Sequence, residues 1–408
     1  MAEVAIEARG TTRILDGVGV VELTDFVAGP FAGRILADLG ADVVKLELPR
    51  GDSGRRSGPF AHGRPHREGA AVFLQYNRNK RGLRVDLSTQ GGRRILQNLL
   101  DEADVFLSDL TPAEQEHYEL RSASIRDGRP QLIVASVTPY GQSGPAADLP
   151  STPLTRMHSA GTAHTLVRGL GAGLGRPIAT GGYVNEADGG TACAIGIIAA
   201  LIARGEQESG DGQIVEVSVQ EAMSALDRVD LSISRNDQAL SRRSMGSGFG
   251  GRWECADGYL VAAMPQPHQW AGLVKTMGNP DWAYDADGEL LDRSEHGAAL
   301  NEKMQEWSST RTREEIYHAA QANSAPIGAV FRPSEVMTSK QEEARNFFAT
   351  GDHAWAGELP YTQISALFSG TDGPPTGVAP LLGEANCELL VERLGGWSAA
   401  TARRAGVA

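Results

Sequence analysis

VGVVELTDFVAGPFAGRILADLGADVVKLE, residues 18–47, holds the reading that decides the fold. Its first seven residues, Val18–Thr24, are a β-branched run of strand type. Gly29-Pro30 then opens an apolar pattern from Phe31 whose spacing suits a helix ending near Gly40, and DVVKLE returns to strand character. The pattern repeats outward: Gly82–Leu87 reads as a strand, Thr89–Ala103 as a helix, and VFLSDL (105–110) and LIVASV (132–137) as further strands. Strands alternating with helices predict an α/β fold on a parallel sheet.

From Tyr140 to Tyr183 the chain is rich in Gly, Ser, Thr and Pro and reads as loops over the sheet. A helix is predicted from about Gly189 to Arg204, then the acidic turn ESGDGQ (208–213), the strand IVEVSV (214–219) and a helix from Gln220. Beyond about 230 the pattern changes. GYLVAA (258–263) reads as a strand and HQWAGLVKTMG (268–278) as a helix, and Thr312 with Glu315 forms a capping-box signature before IYHAAQAN. The expected organisation is a large domain over 1–229, a smaller α/β domain over 230–335, and a return to the large domain over 336–408. That last segment carries GTDGPPTGVAPLLGE (370–384) and a closing helix, ELLVERLGG (388–396).

The 408 residues are 41% hydrophobic and 22% charged, a globular composition. A net charge of -13 leaves no basic footprint for a phosphate backbone, so nucleic acid is not an expected partner. The longest apolar run, Ala192–Ala203, stops at Arg204, short of the roughly twenty residues a membrane span needs. MAEVAIEARG at the N-terminus has acids and no apolar core, so a cytoplasmic location is expected. Cys193, Cys255 and Cys387 are far apart and read as reduced structural thiols. His62 and His66 are separated by Gly63 and Pro65, which break the helix that would align them, so no metal site is expected. GLGAGLG (169–175) neither follows a strand nor opens a helix and reads as a loop.

VVELTDFVAGPFAGRILADLGADVVKLELPRGD (20–52), YNRNKRGLRVDLSTQGGRRIL (76–96), VASVTPYGQSGP (134–145), IGIIAALIARGEQESGDGQIVEVSVQEAM (195–223) and APLLGE (379–384) resemble, in order and over nearly the whole chain, the family III CoA-transferases, or CaiB/BaiF family. That family includes formyl-CoA transferase, carnitine CoA-transferase and alpha-methylacyl-CoA racemase. The resemblance implies a Rossmann-like large domain, a smaller α/β domain and an interlocked homodimer. It implies an acyl-CoA and a carboxylic acid as substrates, with no tightly bound cofactor. It also implies covalent catalysis, in which an aspartate attacks the thioester, forms a mixed anhydride, and becomes an enzyme-bound CoA thioester that passes CoA to an incoming acid.

In the family the nucleophilic Asp lies nine residues before the Ile of the IGI-type motif and four before a glycine. Nine back from Ile195 is Glu186, and Gly190 sits four residues after it, so glutamate occupies the nucleophile position. Asp188 is the second candidate, if the loop is shifted by two residues. Glu186 stands just before the predicted helix, where free N–H groups and the positive end of the macrodipole favour negative charge; a plain helix cap is the competing reading. The resemblance further places Val27, Ala28, Gly29, Asn79, Lys80, Arg81, Tyr140 and Gly141 around the CoA channel. Glycines 29 and 141 suit close backbone approach to a ligand, and Lys80 or Arg81 suits a phosphate or carboxylate, against the competing reading of a solvated turn. The run Gly246–Gly251, with Gly248, stands where the family has a mobile lid over the acyl intermediate; a plain linker is the alternative.

Several family positions differ. Asp109, Leu110 and His117 replace an Asn-Phe pair and a downstream Arg, and Leu48 and Ser88 stand where formyl-CoA transferase has a basic residue. These changes remove positive charge from the surroundings of CoA phosphates and add a carboxylate. Racemases of the family carry a His thirteen residues after the aromatic residue of a GYGQ-like motif. Thirteen after Tyr140 is Pro153, with His158 and His164 further on, so two-base racemisation is not expected. The leading expectation is a CoA-transferase in which Glu186 attacks the thioester and N–H groups near Gly29 and Gly248 stabilise the oxyanion. Two alternatives stand beside it: a same-fold enzyme using Glu186 as general base in isomerisation, lyase or cyclisation chemistry, and a non-catalytic dimeric binding protein.

Overall fold

The computed structural model describes residues 13–163, 177, 179–226, 249–262, 264, 266–371, 373–386 and 388–389. These fall into a large compact unit, drawn from residues up to 226 and from 344 onward, and a small one drawn from 249–343.

In the large unit the opening segment folds as predicted into β1 (Gly19–Leu23), α1 (Ala28–Asp38) and β2 (Asp42–Glu47). Helix α2 (Ala71–Tyr76) leads to β3 (Arg81–Arg84), α3 (Gln90–Glu102) to β4 (Val105–Ser108), and the short α4 (Pro112–His117) and α5 (Ser122–Arg126) to β5 (Ile133–Thr138). After α6 (Pro153–Ser159), the long α7 (Val184–Glu206) feeds β6 (Ile214–Ser218) and α8 (Val219–Leu226). All six strands are parallel, in the order β3-β2-β1-β4-β5-β6, the doubly wound order in which the chain reverses direction between β1 and β4.

Alternate residues of each strand face opposite helical layers. Val20, Val43, Val105 and Ile133 cluster with Ala32 and Leu36 of α1 and Ala194 and Ile197 of α7. Their neighbours Val21, Val44, Phe106 and Val134 cluster with Ile95, Leu96, Leu99 and Leu100 of α3. Burial on both faces explains why β1, β2, β4 and β5 read as continuous apolar runs and not as alternating ones.

Two sequence expectations need correction. The stretch 140–183 is not all loop: Thr152 caps α6 through a reciprocal capping box with Thr155, and Pro153 occupies the first helical turn. Helix α7 begins at Val184, five residues before the expected Gly189, because Gly189 and Gly190 serve packing inside the helix and not its start. A Cβ on Gly190 would lie 2.5 Å from the Ala28 carbonyl oxygen, and one on Gly189 would lie 2.8 Å from the Val219 side chain. With its leading turn, Gly181–Glu206 has the length and composition of a membrane span, more than the run counted above, yet Cys193, Ala194, Ile197 and Ala200 are buried in the core of the sheet unit.

The small unit is an antiparallel sheet of β7 (Gly251–Cys255), β8 (Gly258–Ala262) and β9 (Ile327–Val330), with α9 (Pro267–Thr276), α10 (Gly297–Ser308) and α11 (Arg313–Ala322). Trp253, Leu260, Trp270, Leu273, Met304 and Ile316 form its core, and Thr312 with Glu315 makes the expected capping box. The chain then forms the hairpin β10 (Phe348–His353) and β11 (Gly357–Thr362). Residues near APLLGE lie against β3: Ala385 N donates to the Gly82 carbonyl at 2.9 Å. Most of the expected closing helix, from Leu390, lies outside the described residues.

The contact between α1 and α7 is testable by size alone. Gly190→Ala should lower stability to chemical denaturation by about 1–3 kcal/mol through overpacking. Gly205→Ala, in the same helix with nothing within 4 Å of its added methyl, should raise it by about 0.5–1 kcal/mol.

Candidate functional site

At the carboxyl ends of the strands, where β1 and β4 diverge, a cleft of about 850 Å³ opens. This is the crevice in which open parallel sheets bind ligands. Its walls come from the β1–α1 turn (Thr24–Ala28), the loop after β2 (Leu48–Ser53 and Arg56), the residues after β4 (Asp109–Thr111), the end of β5, and Ser151, Pro153, Arg156, Glu186 and Val219.

The β1–α1 turn is held from below by buried charge. Lys45 Nζ contacts Asp52 Oδ2 at 2.8 Å and Glu22 Oε1 at 3.1 Å, and Lys80 Nζ contacts Glu22 Oε2 at 2.8 Å, with no exposed side-chain surface on any of the four. Burial opposes the Lys45 charge, but Asp52 and Glu22 outweigh it and raise its pKa, whereas burial lowers that of Lys80. Asp52 in turn accepts from Gly54 N at 2.7 Å and Phe26 N at 3.1 Å, and despite burial its carboxyl is held low by Lys45. The turn is thereby fixed with Phe26 at φ 68°, in the left-handed region. The Phe26 ring meets Tyr183 edge-on at 4.9 Å, and Tyr183, also left-handed at φ 56°, is the N-cap of α7.

Three residues later, in the first turn of α7, Glu186 enters the cleft wall only 1% exposed. Arg156 of α6, 8% exposed, donates to its Oε1 from Nη2 at 2.8 Å and from Nε at 3.2 Å, and Nη1 reaches Ser151 Oγ at 3.0 Å. Glu186 Oε2 is buried and has no hydrogen-bond partner among the described residues. The carboxylate is therefore no helix cap: α7 has no side-chain cap bond, and the partner is a guanidinium from another helix. Asp188 is half-buried, pushed up by burial and by Glu186, and is not among the cleft-lining residues.

Val27 and Ala28 line the cleft as expected. Gly29 lies behind them, its missing side chain making room for Thr24, which a Cβ would approach to 2.4 Å. Asn79, Lys80 and Arg81 do not line it. Lys80 is buried in the Glu22 network and also donates to the Pro30 carbonyl at 2.8 Å. Asn79 Nδ2 donates to Asp38 Oδ1 at 2.5 Å, and Arg81 pairs at the sheet edge with Asp42 at 2.6 Å and Glu388 at 3.0 Å. Gly141, at φ 89°, lies in the turn after β5, where Gln142 N donates to Glu216 Oε1 at 2.5 Å; Pro139, not Tyr140, reaches the cleft. Gly246–Gly248, the first half of the expected lid, lie outside the described residues, as does His164, and His158 is exposed on α6 away from the cleft.

Leu48, Asp109 and Leu110 line the cleft, while Ser88 turns away to Asp86 Oδ1 at 2.6 Å and His117 meets Tyr118 edge-on. Asp109 Oδ2 accepts from Asp25 N at 2.6 Å, and burial together with Asp25 pushes its pKa well above the usual carboxylate range. Burial and Asp52 push Asp25 up as well. Two exposed arginines that the sequence reading did not single out, Arg50 and Arg56, stand at the cleft margin. Their loop is pinned by Arg55, which grips Glu47 at 2.7 and 2.8 Å and Glu68 at 2.5 Å. Arg156 was equally invisible, since the thirty residues between it and Glu186 carry no local pattern.

Residues 15–386 match CoA-transferase family III, so the chain belongs to that family. It is 29% identical to the formyl-CoA:oxalate CoA-transferase of Streptomyces avermitilis, over 94% of this chain and 96% of that protein. It is 28% identical to the succinyl-CoA:mesaconate CoA-transferase of Haloarcula hispanica, over 93% and 96% respectively. Among solved structures, a CaiB/BaiF family protein from Brucella suis superposes with a TM-score of 0.80 at 26% identity, covering 94% of this chain and all of that one. The protein is a transferase of CoA. No cluster of side chains able to hold a metal is present among the described residues.

The Asp109 carboxyl makes stability depend on pH in a definite direction. A folded-state pKa above the unfolded one means that the folded state holds the proton more tightly, so this contribution to stability falls as pH rises from about 4 through the folded pKa. Asp109→Asn, which restores the family's amide, should therefore have a higher melting temperature than wild type at pH 7–8. The gap should close as pH falls toward about 4.

Proposed function

We propose that this protein transfers CoA from an acyl-CoA to a carboxylic acid through covalent intermediates on Glu186, and that it works as an interlocked homodimer. The observation that carries the reading is the Glu186 carboxylate itself, buried in the cleft wall at the strand-switch crevice with no hydrogen-bond partner for Oε2 among the described residues. A carboxylate stripped of water with one oxygen free is a stronger nucleophile than a hydrated one.

The chemistry balances without a further reactant. Oε2 attacks the thioester carbonyl, a C–O bond forms, the C–S bond breaks, and CoA leaves as thiolate. The thiolate attacks Cδ of the resulting anhydride and expels the donor acid, leaving a glutamyl-CoA thioester. An incoming carboxylate attacks that thioester, releases the thiolate and forms a second anhydride, whose acyl carbon then takes the thiolate and frees Glu186. The relatives named for formyl-CoA with oxalate and for succinyl-CoA with mesaconate support short carboxylic acids as the substrate class. Family membership favours transfer over acid–base chemistry or mere binding, and no histidine among the described residues lines the cleft for a second base.

Homodimer formation is supported by α7, whose outer face carries Ile195 and Ile202 at 64% and 63% exposure, with Ile214 of β6 at 46%. Apolar side chains in that number on one helix and its edge strand suit cover by a second copy.

Incubation with a panel of acyl-CoAs followed by hydroxylamine should convert one carboxyl to its hydroxamate, located by peptide mass spectrometry at Glu186 and absent in Glu186→Gln. Glu186→Asp should retain labelling but lose roughly a hundredfold in rate, since shortening by one methylene withdraws the reacting oxygen by about 1 Å. Labelling at Asp188, or none with any acyl-CoA, would contradict the reading.

A further inference from the structure

We infer that Arg156 is a catalytic residue, the oxyanion stabiliser for the two steps that occur at Cδ of Glu186. The inference rests on the covalent reading above and assigns a residue to it. When the CoA thiolate attacks the glutamyl anhydride, and again when the incoming acid attacks the glutamyl-CoA thioester, the carbon under attack is Cδ. If Oε2 makes the first bond, the oxygen that stays on Cδ throughout is Oε1, and the negative charge of each tetrahedral intermediate collects there.

Oε1 is the atom that Arg156 already holds, through Nη2 at 2.8 Å and Nε at 3.2 Å. These are oxyanion-hole distances, set before substrate arrives. Arg156 is 8% exposed, and its third nitrogen is anchored on Ser151 Oγ at 3.0 Å, so the fork has little freedom to follow a solvent-facing alternative. The charge logic agrees. In the resting enzyme Glu186 neutralises the guanidinium; acylation removes that negative charge and leaves a buried cation facing a neutral carbonyl. Forming the oxyanion restores the pair, so each Cδ-centred transition state gains what the intermediate had lost. The acyl-centred steps, whose oxyanion forms on the substrate, do not draw on Arg156.

This division gives the test. Wild type, Arg156→Gln and Arg156→Lys are mixed with a panel of acyl-CoAs without acceptor acid, and two products are timed: free thiol by a chromogenic reagent, and CoA-bearing protein by intact mass. In wild type the thiol released in the first step is recaptured, so CoA adduct forms with little free thiol. In Arg156→Gln the thiol should appear as a burst while adduct formation slows by about 10²–10³-fold, with KM for acyl-CoA within about threefold. Arg156→Lys, which keeps the charge but not the fork, should fall between the two, and cooperative unfolding of both variants is checked by circular dichroism. Adduct forming at the wild-type rate in both variants overturns the inference. So does slowed adduct formation with no thiol burst in Arg156→Gln, which would assign Arg156 to the first attack or to structure alone. Absence of any adduct on wild type with every acyl-CoA overturns the covalent reading, and the inference with it; an adduct present in wild type but insensitive to Arg156 overturns the inference alone.

Discussion

Lys45 lies between Glu22 and Asp52 with no exposed side-chain surface on any of the three, and the geometry of the cleft depends on that contact. Breaking a buried pair of this kind from one side costs about 3–5 kcal/mol, because it strands a charge in low dielectric. Here the cost has a spatial meaning. Glu22 sits on β1, Lys45 on β2, and Asp52 in the loop beyond β2, where its second oxygen accepts from the turn that starts α1. Lys80 closes the set beneath α1, and Gly33 must be glycine there, since a Cβ would come within 1.8 Å of Glu22 Oε2. The turn, the first turn of α1 and the loop bearing Arg50 and Arg56 are thus indexed to the same two strands.

From that turn the order propagates to α7. Phe26 meets Tyr183, Gly190 lets α7 settle on the Ala28 carbonyl, and Glu186 is delivered to the wall beside Val27 and Ala28. A glutamate at this position places its carboxyl within reach of Arg156, so the longer side chain comes with a partner that fixes one of its oxygens. The electrostatics of the rest of the cleft follow the same economy. Asp25 and Asp109 bring two carboxyls to a surface expected to meet an anionic ligand, and burial raises both pKa values, with Asp52 adding to the shift of Asp25 and Asp25 to that of Asp109. Arg50 and Arg56 supply positive charge from a different loop.

The sheet was legible in the sequence because its strands are buried on both faces, so that VGVVEL, DVVKLE, VFLS and IVASVT stand out as apolar runs between turn residues. The spacing to Ile195 and Gly190 singled out Glu186, and the structure sets that residue in the cleft wall. The start of α7 was not legible, because Gly189 and Gly190 look like a helix boundary and act as a close-packing surface. Lys80 and Arg81 misled for a related reason: a cationic run before a strand says nothing about whether its charges turn outward or under a helix, and Lys80 turns under. Arg156 left no trace, because its pairing is made by tertiary structure between α6 and α7.

In the proposed covalent route one atom, Oε2 of Glu186, makes the first bond to substrate. The most direct measurement is a crystal structure of the protein frozen after exposure to an acyl-CoA without acceptor acid. Continuous density from the Glu186 side chain to an acyl group or to the CoA sulfur, with Arg156 still on Oε1, is the predicted result. Density joined to Asp188, or an intact acyl-CoA lying in the cleft with Glu186 unmodified while turnover proceeds in solution, would contradict it.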